Sequence, residues 1–214
     1  MESGVTMIPT PTAVHTPYTP KSDYHLKLLH LNTSFDRASK MASKELYDKL
    51  AATAKEFVMS TTPKKAGTNE PDPDRFLATI APNFKMSWGH KHFVSTKPGL
   101  QGEISGQDFV EHQGKMVSNL QTWEIEPTSL CIDVEKKTAV LRADFFMVAP
   151  GQEKLLNDIL FWITMDESGE KVTEAKEFID PVASAELAER MKQGMGKDTT
   201  PNPADADKGT NPGE

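Results

Sequence analysis

The chain has 214 residues, with 24 Lys and Arg against 31 Asp and Glu, a formal charge of −7, and one cysteine, Cys131. No basic run exceeds two residues, as at Lys64-Lys65, so the clustered cations that neutralise a phosphate backbone are missing and nucleic acid is not an expected partner. A single thiol makes neither an internal disulfide nor a thiolate zinc site, and no apolar run approaches the roughly 20 residues of a membrane helix, so the expectation is a protein without membrane contact.

Residues 1–40 contain Pro9, Pro11, Pro17 and Pro20 and a Thr-rich run with no sustained apolar period. Such a segment cannot bury enough surface to offset its ordering entropy, and residues 1–40 are expected to be a disordered extension. The first 30 residues lack the basic start and apolar stretch of a secretory signal, so a cytoplasmic location is expected. Met41-Ala42-Ser43 is compatible with a natural start. Residues 194–214 are Gly, Pro, Asp and Thr with little that is apolar and are expected to be a disordered tail, which leaves residues 41–193 as one domain.

Behind Ser43, a candidate cap, Leu46, Leu50, Ala54 and Phe57 recur at helical spacing and predict a first amphipathic helix. Pro63 and the polar stretch to Pro71 end it. Asp72-Pro73-Asp74 opens a short second helix through Ile80, with proline where no donor is needed. From Phe84 to His90 apolar and polar residues alternate, which predicts a strand. Gly106 to Leu120 returns to helical period with Phe109, His112 or Gln113, Met116 and Leu120 on one stripe. Strands follow over 123–134, 138–148, 155–165 and 171–179, and Ala183 to Met191 forms a terminal helix after Pro181. Consecutive strands with short links imply a curved antiparallel sheet, packed on three N-terminal helices with a short C-terminal helix in an α+β arrangement that encloses a pocket.

Alternation sorts the strand side chains into two faces. Ala139, Leu141, Ala143, Phe145 and Met147 form one wholly apolar set; Leu155, Ile159, Phe161, Ile163 and Met165 form another that includes the polar Asn157. In the last strand Glu174 and Lys176 mark the solvent face, which puts Thr173, Ala175, Glu177 and Ile179 inside. On the first strand Phe84, Met86 and Trp88 lead on the same parity to His90, and the third helix adds His112. Glu177, His112 and His90 are therefore candidate catalytic residues, with Trp88, Asn157, Tyr47 and Phe161 as candidate substrate-binding residues. A carboxyl among apolar neighbours resists ionisation and can hold or release a proton near neutrality, and histidine is its natural complement. The competing reading pairs Glu177 with a nearby Lys or Arg or hydrogen-bonds it to a helix end. Asp144 and Asp158 fall on the outer face, where Phe146, Leu160 and Trp162 form an apolar patch that predicts a homodimer.

The chain lacks GxSxG, GxxxxGK[ST], HExxH and a GxGxxG after a strand, so no nucleotide cofactor is indicated and none of any kind is expected. His90 and His92 share a strand face without a third ligand at useful spacing, so no metal site is expected either. Nothing in the sequence lowers the pKa of Cys131 enough to suggest a nucleophile.

The helix KELYDKLAATAKEFV, the segment FLATIAPNF leading into KMSWGH, the helix DFVEHQGKMVSNL and the close DESGEKVTEAKEFID, in this order over residues 44–190, resemble the SnoaL-like, nuclear-transport-factor-two-like superfamily. These are cone-shaped α+β barrels that include ketosteroid isomerases and scytalone dehydratases, and the likeness is greatest to the fungal branch associated with secondary metabolism. The resemblance implies that Glu177-Phe178-Ile179-Asp180 falls where the family often places a pocket acid, and that His112 lies on the helix that closes the pocket. The Tyr-Asp pair of ketosteroid isomerases is not evident. Two functions follow as expectations. One is a cofactor-independent isomerase, dehydratase or cyclase working by acid–base chemistry on a hydrophobic polyketide- or terpenoid-like molecule. The other is a non-catalytic ligand-binding or dimeric scaffold protein of the same fold.

Overall fold

The computed structural model describes the backbone of residues 22–195 and the side chains of residues 40–194. Residues 1–21 and 196–214, most of the two segments expected to be disordered, lie outside the described residues. The chain divides into two units, 1–41 and 42–214, and the site belongs to the second. The first helix, α1, runs Ser22–Met59 and so starts well before the Ser43 cap that the sequence suggests. Its continuity has a simple cause: between Pro20 and Pro63 the chain contains neither proline nor glycine to interrupt it. The run Ser60-Thr61-Thr62 terminates it, each hydroxyl donating to a carbonyl of the last turn, those of Phe57, Val58 and Met59.

Helix α2 (Pro73–Thr79) is capped by Asp72, whose carboxylate accepts the Arg75 amide N–H. It passes directly into β1 (Ile80–Trp88), which begins four residues earlier than the alternation alone indicates. A short helix α3 (Lys91–Ser95) and a 3-10 turn (Pro98–Leu100) intervene before α4 (Gly106–Val117). Ser105 and Asp108 close a reciprocal capping box at the start of α4. Strands β2 (Thr122–Asp133), β3 (Thr138–Val148), β4 (Leu155–Met165) and β5 (Val172–Phe178) follow, then α5 (Pro181–Met195).

The fold is α+β, with a curved, unclosed five-stranded sheet in the order β1-β5-β4-β3-β2. From β2 to β5 the pairing is antiparallel, as the hairpin-length links require. The sheet is nonetheless mixed, because β1 joins the β5 edge in parallel and sets Met86 opposite Ala175 and Trp88 opposite Glu177. Helices α3 and α4 separate β1 from the later strands in the chain, so it can add to the sheet in either direction.

The face assignments hold along β3 and β4, where Ala139, Leu141, Ala143, Phe145, Met147, Asn157, Ile159, Phe161 and Ile163 are all buried. On β5 a bulge falls between the pairs Thr164–Glu174 and Met165–Val172, so Val172 rather than Thr173 is the buried residue, while Ala175 and Glu177 keep the inner face. The core is closed by α1 through Leu50, Ala54, Phe57 and Val58, with Phe57 against Phe76, Phe84 and Phe161 at ring-centroid distances of 5.6, 5.8 and 6.3 Å.

Candidate active site

At the C-terminal ends of β1 and β5 the inner sheet face and the helices do not meet, and a cavity of about 230 Å³ remains. Phe145, Met147, Ile159 and Phe161 form its floor, α4 contributes Phe109, His112, Gln113 and Met116, and α5 contributes Ser184, Leu187 and Met191. Trp88, Asn157 and Glu177 also line it. Most of the wall is hydrocarbon or aromatic, with a few polar groups converging on it, the composition expected of a small-molecule site.

Glu177 reaches this cavity because the β5 parity survives the bulge and because its register partner on β4 is the flat, apolar Phe161. One carboxyl oxygen, Oε2, accepts a hydrogen bond from the indole Nε1–H of Trp88 at 3.0 Å. The other oxygen has no hydrogen-bond partner among the described residues. Burial away from water pushes the Glu177 carboxyl up to about 7, and the Trp88 bond, which favours the ionised form, only partly opposes it. The carboxyl thus exchanges its proton close to neutral pH. The reading that would tie Glu177 to a lysine or arginine is not realised among the described residues.

His112 stands one ring away. Its imidazole packs on Trp88 with centroids 5.1 Å apart, and Trp88 continues onto Phe109 at 6.5 Å. Burial, reinforced by the positive charge of Lys115 one turn along α4, lowers the His112 pKa, so the ring is neutral at physiological pH. Among the described residues, Glu177 and His112 are the two titratable side chains that line the cavity, and no lysine or arginine does.

Asn157 is almost fully buried and already engaged: its Nδ2 donates to Ser184 Oγ at 3.1 Å and its Oδ1 accepts the Asp180 amide N–H at 3.2 Å. It therefore fastens α5 and the residues before it to β4, and Ser184, with a hydroxyl hydrogen to spare, becomes the polar group presented on that wall. Ser184 and the α5 wall were not among the candidates read from the sequence. The spacing Ala183, Leu187, Met191 was a sufficient signal that α5 has an inward face.

Two candidates lie elsewhere. His90 follows the end of β1, where Gly89 donates its N–H to the Glu177 carbonyl at 2.7 Å and the chain then turns through a left-handed conformation at His90 (φ 57°). Alternation ceases to apply once the strand ends, and the His90 ring stands edge-on to Phe178, at 5.4 Å, over a groove on the outer sheet face. Tyr47 is 41% exposed on α1, because one residue past Leu46 is about 100° around the helix from the buried stripe. The structure thus brings together Glu177, His112, Trp88, Asn157 and Phe161, and leaves His90 and Tyr47 outside the cavity.

No protein-family model and no curated protein matches the sequence. Solved structures do match. The BvnE pinacolase of Penicillium brevicompactum aligns with a TM-score of 0.57 at 13% identity, over 70% of this chain and 99% of its own. PrhC of Penicillium brasilianum NBRC 6234 aligns at 0.55 with 17% identity over 70% and 92%, and AusH of Aspergillus nidulans at 0.51 with 14% identity over 62% and 84%. At these identities the likeness is one of fold alone: the chain shares its α+β fold with these fungal proteins.

Proposed function

We propose that the protein is a cofactor-independent isomerase, dehydratase or cyclase that moves a proton on a neutral, hydrophobic, oxygen-bearing small molecule of polyketide or terpenoid type. The observation that carries this reading is Glu177, with one carboxyl oxygen fixed by Trp88 and the other without a partner, among the described residues, in an apolar cavity. A carboxyl poised near 7 can give a proton to a substrate oxygen and take one back from carbon or from a departing water. Neutral His112 is the complementary acceptor across the Trp88 ring, and the Ser184 hydroxyl is placed to hold a second oxygen. A cavity lining without lysine or arginine among the described residues favours uncharged substrates, since an anion would be desolvated there without a partner. The pinacolase among the structural neighbours works in the same fold, which supports the reading by analogy only. Trp162 and Leu156, exposed at 53% and 46% on the outer face, support pairing of two copies through that face.

The test uses compact neutral ketones such as β-tetralone in deuterated buffer, with α-carbon exchange followed by NMR. The wild-type protein should accelerate exchange over buffer, and Glu177→Gln should abolish the acceleration while keeping the fold. Ketones that bind without exchange, or exchange equally with both proteins, would favour the non-catalytic ligand-binding alternative.

A further inference from the structure

The carboxyl of Glu177 has two oxygens, and the structure treats them differently. Trp88 is 8% exposed and held on both sides, by the Phe109 and His112 rings and by its place opposite Glu177 in the β1–β5 ladder. Its indole cannot turn away without breaking that packing. Indole nitrogen is a donor and never an acceptor, so the contact with Oε2 exists only with Oε2 as acceptor. A protonated carboxyl accepts through its carbonyl oxygen, so its hydrogen resides on Oε1.

We propose that Trp88 is a positioning residue whose indole N–H, fixed on Glu177 Oε2, reserves Oε1 as the oxygen from which the proton leaves and to which it returns. The proposal rests on the acid–base reading of the cavity. In the forward step the Oε1–H bond breaks and an O–H bond forms on the substrate oxygen. The electron pair stays on the carboxylate, where it is shared between both oxygens. The Trp88 bond then becomes charge-assisted and strengthens as the charge develops. One bond therefore performs two tasks, selecting the oxygen and stabilising the conjugate base. A second consequence is that Trp88 presents its ring, not its N–H, to a ligand.

The groups around Glu177 that could confuse a pH readout are few. His112 on α4 is the titratable neighbour in the cavity, with Lys115 behind it; β1 offers Trp88, β4 offers Phe161 and α5 offers Ser184. Lys176 and Glu174 belong to the solvent-facing positions of β5, and His90, Arg142, Asp158 and Asp180 line the groove on the other side of the sheet.

The experiment is NMR titration of the ligand-free full chain. Glutamate carboxyls are labelled with carbon-13, Glu177 being the resonance missing from Glu177→Gln, and indoles with nitrogen-15, Trp88 being the one of three missing from Trp88→Phe. The wild type should show the Glu177 midpoint near 7, with the Trp88 indole signal moving at that same midpoint. Trp88→Phe, which keeps an aromatic ring over His112 but lacks the N–H, should raise the Glu177 midpoint by about one pH unit. If the midpoint is near 7 but Trp88→Phe leaves it in place, or if the indole signal ignores it, the positioning role is overturned and the acid–base reading stands. A wild-type midpoint near 4.5 overturns both. If Trp88→Phe fails to fold, Trp162→Phe removes the exposed indole signal instead, and because Trp123 donates to the Thr61 carbonyl, which does not titrate, whether either remaining indole signal moves at the Glu177 midpoint decides the question.

Discussion

At the scale of the residue, Glu177 ties the binding of a proton to stability. Its pKa is raised from 4.5 to about 7 by folding, so the folded chain binds this proton more tightly than the unfolded chain. The sign follows: the stabilisation is complete below about pH 4.5 and is lost as pH rises through 7, by up to about 3 kcal/mol. His112 acts in the opposite sense, because its pKa is lowered and its contribution is lost as pH falls below 6.5. The carboxylates held low by their caps and ion pairs, Asp108, Asp133, Asp158 and Asp166, titrate below this window. Urea denaturation between pH 5 and 8 should therefore show the wild type losing stability and Glu177→Gln losing none, with the variant the more stable protein at pH 8. Equal slopes for the two proteins would mean that the carboxyl is solvated. Glu177 itself was legible in the sequence, since a lone carboxylate on an otherwise apolar parity set stands out against its neighbours. Its Trp88 partner was legible as a neighbour but not as a donor, because the β1–β5 register joins residues 89 apart and no local pattern encodes it.

At the scale of the element, the ends of strands and helices decide which side chains reach the cavity. Just past β1, position 89 must be glycine because a Cβ there would stand about 2.0 Å from the ring of Phe178, the residue that follows Glu177 on β5. Gly89→Ala should cost about 1–3 kcal/mol by overpacking, read from the urea midpoint, and should broaden the Glu177 titration. An unchanged midpoint would mean that Phe178 has room to move. This is also where the sequence misplaced His90: period two is a property of a strand, and the strand had stopped two residues earlier. At the other wall, Asn157 bridges β4 to Ser184 and Asp180, so Asn157→Ala should strip two hydrogen bonds from the base of α5. The expected result is a loss of about 1–3 kcal/mol, with amide hydrogen exchange accelerating in α5 while the β3–β4 ladder keeps its protection. Uniform acceleration would show that α5 does not open separately. Helical period located α4, and the prolines Pro73 and Pro181 marked the starts of α2 and α5, yet α1 exceeded its own amphipathic segment, because neither proline nor glycine interrupts the chain between Pro20 and Pro63.

At the scale of the whole molecule, the sheet has one face spent on the core and cavity and one left to solvent. The outer face carries the exposed Trp162 and Leu156 beside the groove edged by Leu160 and Phe178, an apolar surface of the kind that a second copy can cover. Light scattering at micromolar concentration should return twice the chain mass, and Trp162→Asp should halve it without altering the far-ultraviolet circular dichroism; a monomeric wild type would refute the pairing. The α+β layering was legible because each strand and its parity could be read locally, whereas the parallel β1–β5 seam was not. That seam has a consequence in time. A ribosome adding roughly 5–20 residues each second emits β1 several seconds before β5, and until then Trp88 has no strand to pair with and no carboxyl to grip. The nascent chain must keep an unpaired apolar edge for that interval, and the Trp88–Glu177 hydrogen bond comes into being only when the last strand of the sheet has left the exit tunnel.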